Sequence, residues 1–239
     1  MFYYGYGFDW TYLVIVLPCI ILSMWASSSV NSTFKKYSRV LSYRQITGAQ
    51  AAQRVLNANG VRNVRIERIS GNLTDHFDPK TNVIRLSDSV YDSTSVAAIG
   101  VACHEAGHAV QYAENYAPIK FRAAIIPITN IGSKLAMPLI LAGVLLSFLG
   151  NLSYGIVYLG IACFSLSLIF QLVTLPVEFN ASRRAMGAIE SGNILTDEEQ
   201  RGAKKTLKAA AMTYVAATAV ALAQLLRLII LFGGRRRRD

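Results

Sequence analysis

Hydrophobic residues in this chain follow two patterns. In the first, apolar residues run on without charge. No charged residue occurs between Asp9 and Lys35, none in the 43 residues between Lys134 and Glu178, and none in the 18 between Lys208 and Arg227. A membrane-crossing helix needs about 20 predominantly apolar residues, so these stretches predict one span, then two, then a fourth. The first runs from Trp10 to Ser29 with a local kink at Pro18. Leu135–Leu149 and Tyr154–Leu175 follow as a pair joined by a tight turn at Gly150-Asn151. The opening MFYYGYGFDW suits an aromatic belt at a membrane interface. It carries no basic segment of the kind that precedes a cleaved signal, so the first span is read as retained.

The second pattern, between residues 35 and 122, is periodic and more polar. Thr47 caps an amphipathic helix whose Ala51, Ala52, Val55 and Leu56 share one side, ended by Asn59-Gly60. Val64 to Ile69 alternate as a half-buried strand, Asp78-Pro79 marks a turn, and Asn82 to Leu86 form a second strand. Together they make a small β ribbon. Ser93 or Ser95 caps a helix over Val96–Tyr116, closed by Pro118. Residues 119–134 read as an amphipathic segment broken at Pro127. Pro176 opens a polar helical segment that stops at Gly192, and Thr196 with Glu199 forms a capping box for a last helix running to about residue 232.

Composition agrees with this reading. The chain is 53% hydrophobic and 16% charged with a mean hydropathy of +0.35, against roughly 25% charged in soluble domains. An ordinary soluble domain and a disordered chain are both excluded. The net charge of +10 lies in clusters flanking the apolar runs, such as Lys35-Lys36, Arg183-Arg184 and Arg235–Arg238. Such flanks set topology against anionic lipid, so the expected partner is the bilayer and no nucleic acid. They place residues 31–133 and 177–208 on the cytoplasmic side of a multi-pass cell-membrane protein. A fourth span would carry Arg235–Arg238 outside, against the rule, although the apolar length of 209–232 favours crossing. The domain division is 1–30, a transmembrane helix; 31–134, a catalytic region; 135–176, a helical hairpin; 177–208, a cytoplasmic helical segment; and 209–239, a last helix with its basic tail. Cys19, Cys103 and Cys163 show neither a pairing pattern nor metal spacing.

The chemistry lies in His104-Glu105-Ala106-Gly107-His108. Residues at i and i+4 share a helix face, so two imidazoles can ligate one Zn²⁺ while Glu105 serves as general base. The motif uses two of the chain's three histidines. Catalytic zinc takes a third protein ligand and keeps an open position. No histidine follows His108, which excludes the longer His-rich signature and makes a carboxylate the natural third ligand. Glu114 lies six residues on along the same helix. Glu178 lies 70 residues on, and the two intervening spans return it to the same side of the membrane. Arg183, Arg184 and His76 are candidate donors to a developing oxyanion. The strand 82–86 ahead of the motif is a candidate edge for pairing with extended substrate.

HEAGHAVQ (104–111) together with LPVEFNASRRA (175–185) resembles the YugP-like family of neutral zinc metallopeptidases of bacterial membranes. The likeness covers nearly the whole chain. A weaker one extends to the HtpX and CAAX-prenyl endopeptidase group, whose third ligand opens a Glu-Phe-x-Ala-Asp stretch. The resemblance implies a polytopic α-helical membrane protein with a zincin-like, gluzincin-type catalytic region. It implies His104, His108 and Glu178 as zinc ligands and hydrolysis of protein or peptide substrates near the membrane. Ser182 stands where the wider group has aspartate, so orienting a ligand histidine falls to Ser182 or Asn180. The expected function is a zinc-dependent membrane endopeptidase; the alternative is a non-proteolytic scaffold that keeps the fold.

Overall fold

A computed structural model describes residues 9–233. The aromatic residues before Asp9, read above as an interfacial belt, and the Arg235–Arg238 tail lie outside the described residues. A π-helical turn, Tyr12–Val16, leads into α1 (Leu17–Tyr37). Then come α2 (Gly48–Ala58), β1 (Arg65–Ile69), β2 (His76–Asp78), β3 (Val83–Ser87), α3 (Val96–Ala113), α4 (Ala117–Leu145), α5 (Asn151–Ser191) and α6 (Asp197–Gly233). Among the described residues, four helices are long and apolar enough to cross a membrane: Tyr12–Tyr37, α4, α5 and α6.

Two compact units result. One takes the described residues up to Trp25, Phe121–Thr174 and those from Tyr214 onward; the other takes Ala26–Lys120 and Leu175–Thr213.

The first unit is purely helical. Among its buried side chains, Ile140, Val157, Leu228 and Phe232 form a small cluster, while Ile131, Leu141, Leu159, Leu172 and Ile229 face outward. Small residues let its helices approach closely. A Cβ on Gly143 would sit 2.8 Å from the Ser153 carbonyl, and one on Gly160 would sit 2.9 Å from the Ala136 carbonyl. The Tyr158 hydroxyl donates to the Phe232 carbonyl at 3.1 Å, so the start of α5 meets the end of α6. Arg227 Nε donates to Asp9 at 3.0 Å and the guanidinium lies over the Tyr12 ring. The last helix therefore runs antiparallel to the first span and to α5 within this unit.

The second unit has a protein-like core. The apolar side of α2 (Ala51, Ala52, Val55, Leu56) packs with Ile99, Ala102 and Ala106 of α3 in one buried cluster. Both expected helix starts are present. Thr47 and Gln50 form a capping box, and the Ser95 hydroxyl accepts from the Ala98 N–H at 3.3 Å. So is the Thr196–Glu199 box, whose Glu199 also accepts from the Tyr43 N–H at 2.6 Å.

Several expectations need correction. The ribbon is a three-stranded sheet in the order β1-β3-β2, with β1 parallel and β2 antiparallel to β3. β2 spans only three residues and ends on Asp78, so it reads as loop; the Asp78 carboxylate folds the following turn by accepting from Lys80 N–H and Thr81 Oγ. β3 is therefore central and paired on both sides. It offers no free edge to a substrate.

Pro127 does not break α4, which also contains Pro138, and α5 passes through Pro176 without a restart. A proline removes one backbone donor, a loss that long helices in apolar surroundings accommodate through their neighbours. The first helix likewise continues past Ser29 to Tyr37, and α3 ends at Ala113 before Asn115, whose φ is 57°.

Candidate metal centre

The motif helix is buried along most of its length, including Glu105 and His108, while His104 is partly exposed. Helical spacing stacks the two imidazoles, with ring centroids 4.7 Å apart and nearly perpendicular planes. Against this face lies the polar end of α5. The approach depends on Gly107, because a Cβ there would come within 2.8 Å of the Ala181 carbonyl. Close contact brings Glu178 Oε2 to 3.3 Å from His104 Nε2 and 3.5 Å from His108 Nε2. One ligand atom from each of His104, His108 and Glu178 falls within 4.8 Å of the others.

Glu178 is deeply buried, and both imidazoles lie against its carboxylate. Burial opposes its charge, but the contacts with His104 and His108 outweigh that and hold the carboxyl well below the usual carboxylate range. Burial also opposes charge on His108, yet Glu178 and Glu105 raise its pKa. A cation would replace the protons that these three groups share. Two imidazole nitrogens and one carboxylate oxygen brought this close form a donor set suited to zinc. The residues fit the metal.

Each histidine has an outer partner on its Nδ1. Ser182 Oγ lies 3.2 Å from His104 Nδ1, and Gln111 Oε1 lies 3.0 Å from His108 Nδ1. Asn180 serves a different purpose from the one expected of it: its Oδ1 accepts from Gln111 Nε2 at 2.9 Å and from Arg184 Nε at 2.7 Å. Glu105 follows His104 and sits one turn before His108. Its charge acts on His108 and on Asp75.

The other candidate residues are dispersed. Arg183 is exposed. Arg184 is bound at 2.7 Å to Glu114 and lies over the Tyr116 ring, so Glu114 is an ion-pair partner rather than a member of the ligand cluster. His76 is exposed in β2, with Nδ1 on the Thr74 carbonyl. Strand neighbours point to opposite faces, and Phe77 meets Tyr112 of α3 edge to face at 5.6 Å, so His76 points away from the motif helix. Cys103 is fully buried, and burial pushes its thiol up to about 12, far from a ligating thiolate.

Two participants were missed. Gln111 closes the HEAGHAVQ string, where its helical spacing from His108 was the available signal. Asp75 precedes β2; its carboxylate accepts from the Ser87 N–H at 2.8 Å and from Ser87 Oγ. Burial raises its pKa, those hydrogen bonds partly offset the rise, and the charge of Glu105 adds to it.

A family described as "Putative neutral zinc metallopeptidase" matches residues 12–233, both units included. The chain belongs to this family. Among curated proteins, it is 44% identical over 221 residues to the "Putative membrane protease YugP" of Bacillus subtilis (strain 168), covering 92% of this chain and 96% of that one. No solved structure gives a significant match.

Proposed function

We propose that the chain is a zinc-dependent membrane endopeptidase that cleaves membrane or membrane-proximal proteins on the cytoplasmic face of a multi-pass cell-membrane protein. The observation that carries this reading is the convergence of His104, His108 and Glu178 beside a buried Glu105. His104, His108 and Glu178 hold the metal in a zincin-like catalytic region. When bound, zinc polarises the scissile carbonyl and lowers the pKa of water. The Glu105 carboxylate takes the proton of the attacking water and returns it to the leaving amide nitrogen. Ser182 and Gln111 keep the imidazoles oriented.

β2 is an edge strand and packs its Phe77 on Tyr112 of the motif helix. It therefore replaces β3 as the strand for an extended substrate to pair with. The membrane-proximal substrate class follows from the sequence, since Glu178 comes three residues after the apolar stretch that ends at Leu175. The antiparallel course of α6 beside the first span and α5 supports a fourth crossing by α6.

The test is zinc per chain by elemental mass spectrometry on purified wild type and Glu178→Ala, followed by peptide hydrolysis with Glu105→Gln as control. About one zinc in the wild type, as one three-ligand site requires, lost in a folded Glu178→Ala and accompanied by hydrolysis that needs Glu105, supports the reading. A folded wild type that takes up no zinc overturns it in favour of the scaffold.

A further inference from the structure

We infer that Gln111 is a positioning residue that fixes the tautomer of His108, and that Asn180 and Arg184 lock it in place. This rests on the metallopeptidase reading and extends it beyond the ligand set. The assignment follows from which groups can donate. Arg184 carries only donors, so the Asn180 atom 2.7 Å from its Nε is an acceptor, Oδ1. The Gln111 atom facing that oxygen must then be its NH₂ group, at 2.9 Å. The Val177 carbonyl, an acceptor only, is 2.9 Å from the same nitrogen and demands the same orientation independently.

Gln111 is fully buried, and its remaining amide atom is Oε1, 3.0 Å from His108 Nδ1. That oxygen can only accept, so Nδ1 carries the hydrogen. In the neutral imidazole the lone pair is then on Nε2, the atom that faces Glu178. A hydroxyl can donate or accept, so Ser182 imposes no such choice on His104.

The chain of bonds ends at the surface. Arg184 is anchored by Glu114 at 2.7 Å and by the Tyr116 ring. With Nε and one Nη engaged in this way, Arg184 acts through Asn180 and Gln111 rather than on the reacting carbonyl. Val177 immediately precedes Glu178, so one buried amide ties the backbone beside the carboxylate ligand to the ring of the histidine ligand. It sets both the distance between α3 and α5 and the nitrogen offered to the metal.

The experiment measures zinc affinity of the full-length protein in detergent by competition with a chelator of known affinity, alongside thermal stability of the zinc-free form. Gln111→Met, similar in shape but without the amide, should weaken zinc binding by about 10- to 100-fold. Asn180→Asp keeps an acceptor toward Arg184 and Gln111 and should retain the affinity that Asn180→Leu loses. That contrast decides the matter even if Gln111→Met fails to fold, because a merely space-filling role would not separate aspartate from leucine. Equal affinity in folded Gln111→Met and wild type, or equal losses in Asn180→Asp and Asn180→Leu, overturns the inference while leaving the zinc site standing. A wild type without zinc overturns the proposed function itself.

Discussion

The two units solve the problem of polar atoms in opposite ways. The site-bearing unit buries carboxylate, imidazole and amide groups together and partners them. Glu178 meets two histidines, Gln111 makes three hydrogen bonds, and Asp75 is held by Ser87. The helical unit keeps such groups few, turns large aliphatic side chains outward and closes its helices through glycine. Polar atoms are costly in hydrocarbon, and apolar packing alone does not specify a chemical site. The division lets one short chain hold a charged centre on one framework and meet lipid with another. Glycine appears in both for the same steric reason, with different consequences: Gly107 governs ligand geometry, whereas Gly143 and Gly160 govern helix packing.

The contrast can be tested step by step. Glu105→Gln should lower peptide hydrolysis by about 10²- to 10⁴-fold, the scale of a general acid–base, while zinc content and thermal stability stay near wild type. A parallel loss of zinc would break the separation between holding the metal and moving the proton. Next in size, Gly107→Ala should cost about 1–3 kcal/mol through the clash with Ala181, and chelator competition should show weakened zinc binding. Gly187→Ala, on the same α5, meets no neighbour and should be stabilising by up to about 1 kcal/mol through helix propensity. In the helical unit, Gly160→Leu should cost a comparable amount to Gly107→Ala in detergent unfolding, while Ile229→Ala stays within about 0.5 kcal/mol.

The smallest effect belongs to the exposed Arg68–Asp88 pair. The Arg68 guanidinium holds the Asp88 carboxyl below its ordinary value. Its contribution is present above the unfolded-state carboxylate pKa and is lost as pH falls through the folded value. Thermal melts of wild type and Asp88→Asn should therefore differ slightly near neutrality and converge in acid.

What the sequence revealed was local. The i, i+4 histidines and the capping residues at Thr47, Ser95 and Thr196 are defined within a few neighbours and the uncharged runs within contiguous stretches, and each corresponds to an element in the structure. Glu178 was reached through topology, because two spans return the chain to the side of the histidines, and the resemblance then strengthened it over Glu114. Gln111, Asn180 and Asp75 acquire their meaning from contacts across 12 to 69 positions, which no periodicity encodes. The prolines misled for a related reason: Pro127 and Pro176 are breakers by local rule, but tertiary surroundings keep their helices continuous. His76, one of the candidate oxyanion donors, is exposed while its neighbour Phe77 faces the motif helix, since one position decides the face on which a strand side chain stands.

The distance in sequence between the histidines and Glu178 has a consequence for biosynthesis. A ribosome adding about 5 to 20 residues per second delivers the 70 residues from His108 to Glu178 in roughly 4 to 14 seconds. Throughout that interval the nascent polypeptide carries His104, Glu105 and His108, yet lacks the Glu178 carboxylate that lies against the two imidazoles. That carboxylate emerges only after the hairpin at residues 135–175 has been translated. The donor set is thus incomplete while the hairpin is being made, and closes only once the second arm of that hairpin has been translated.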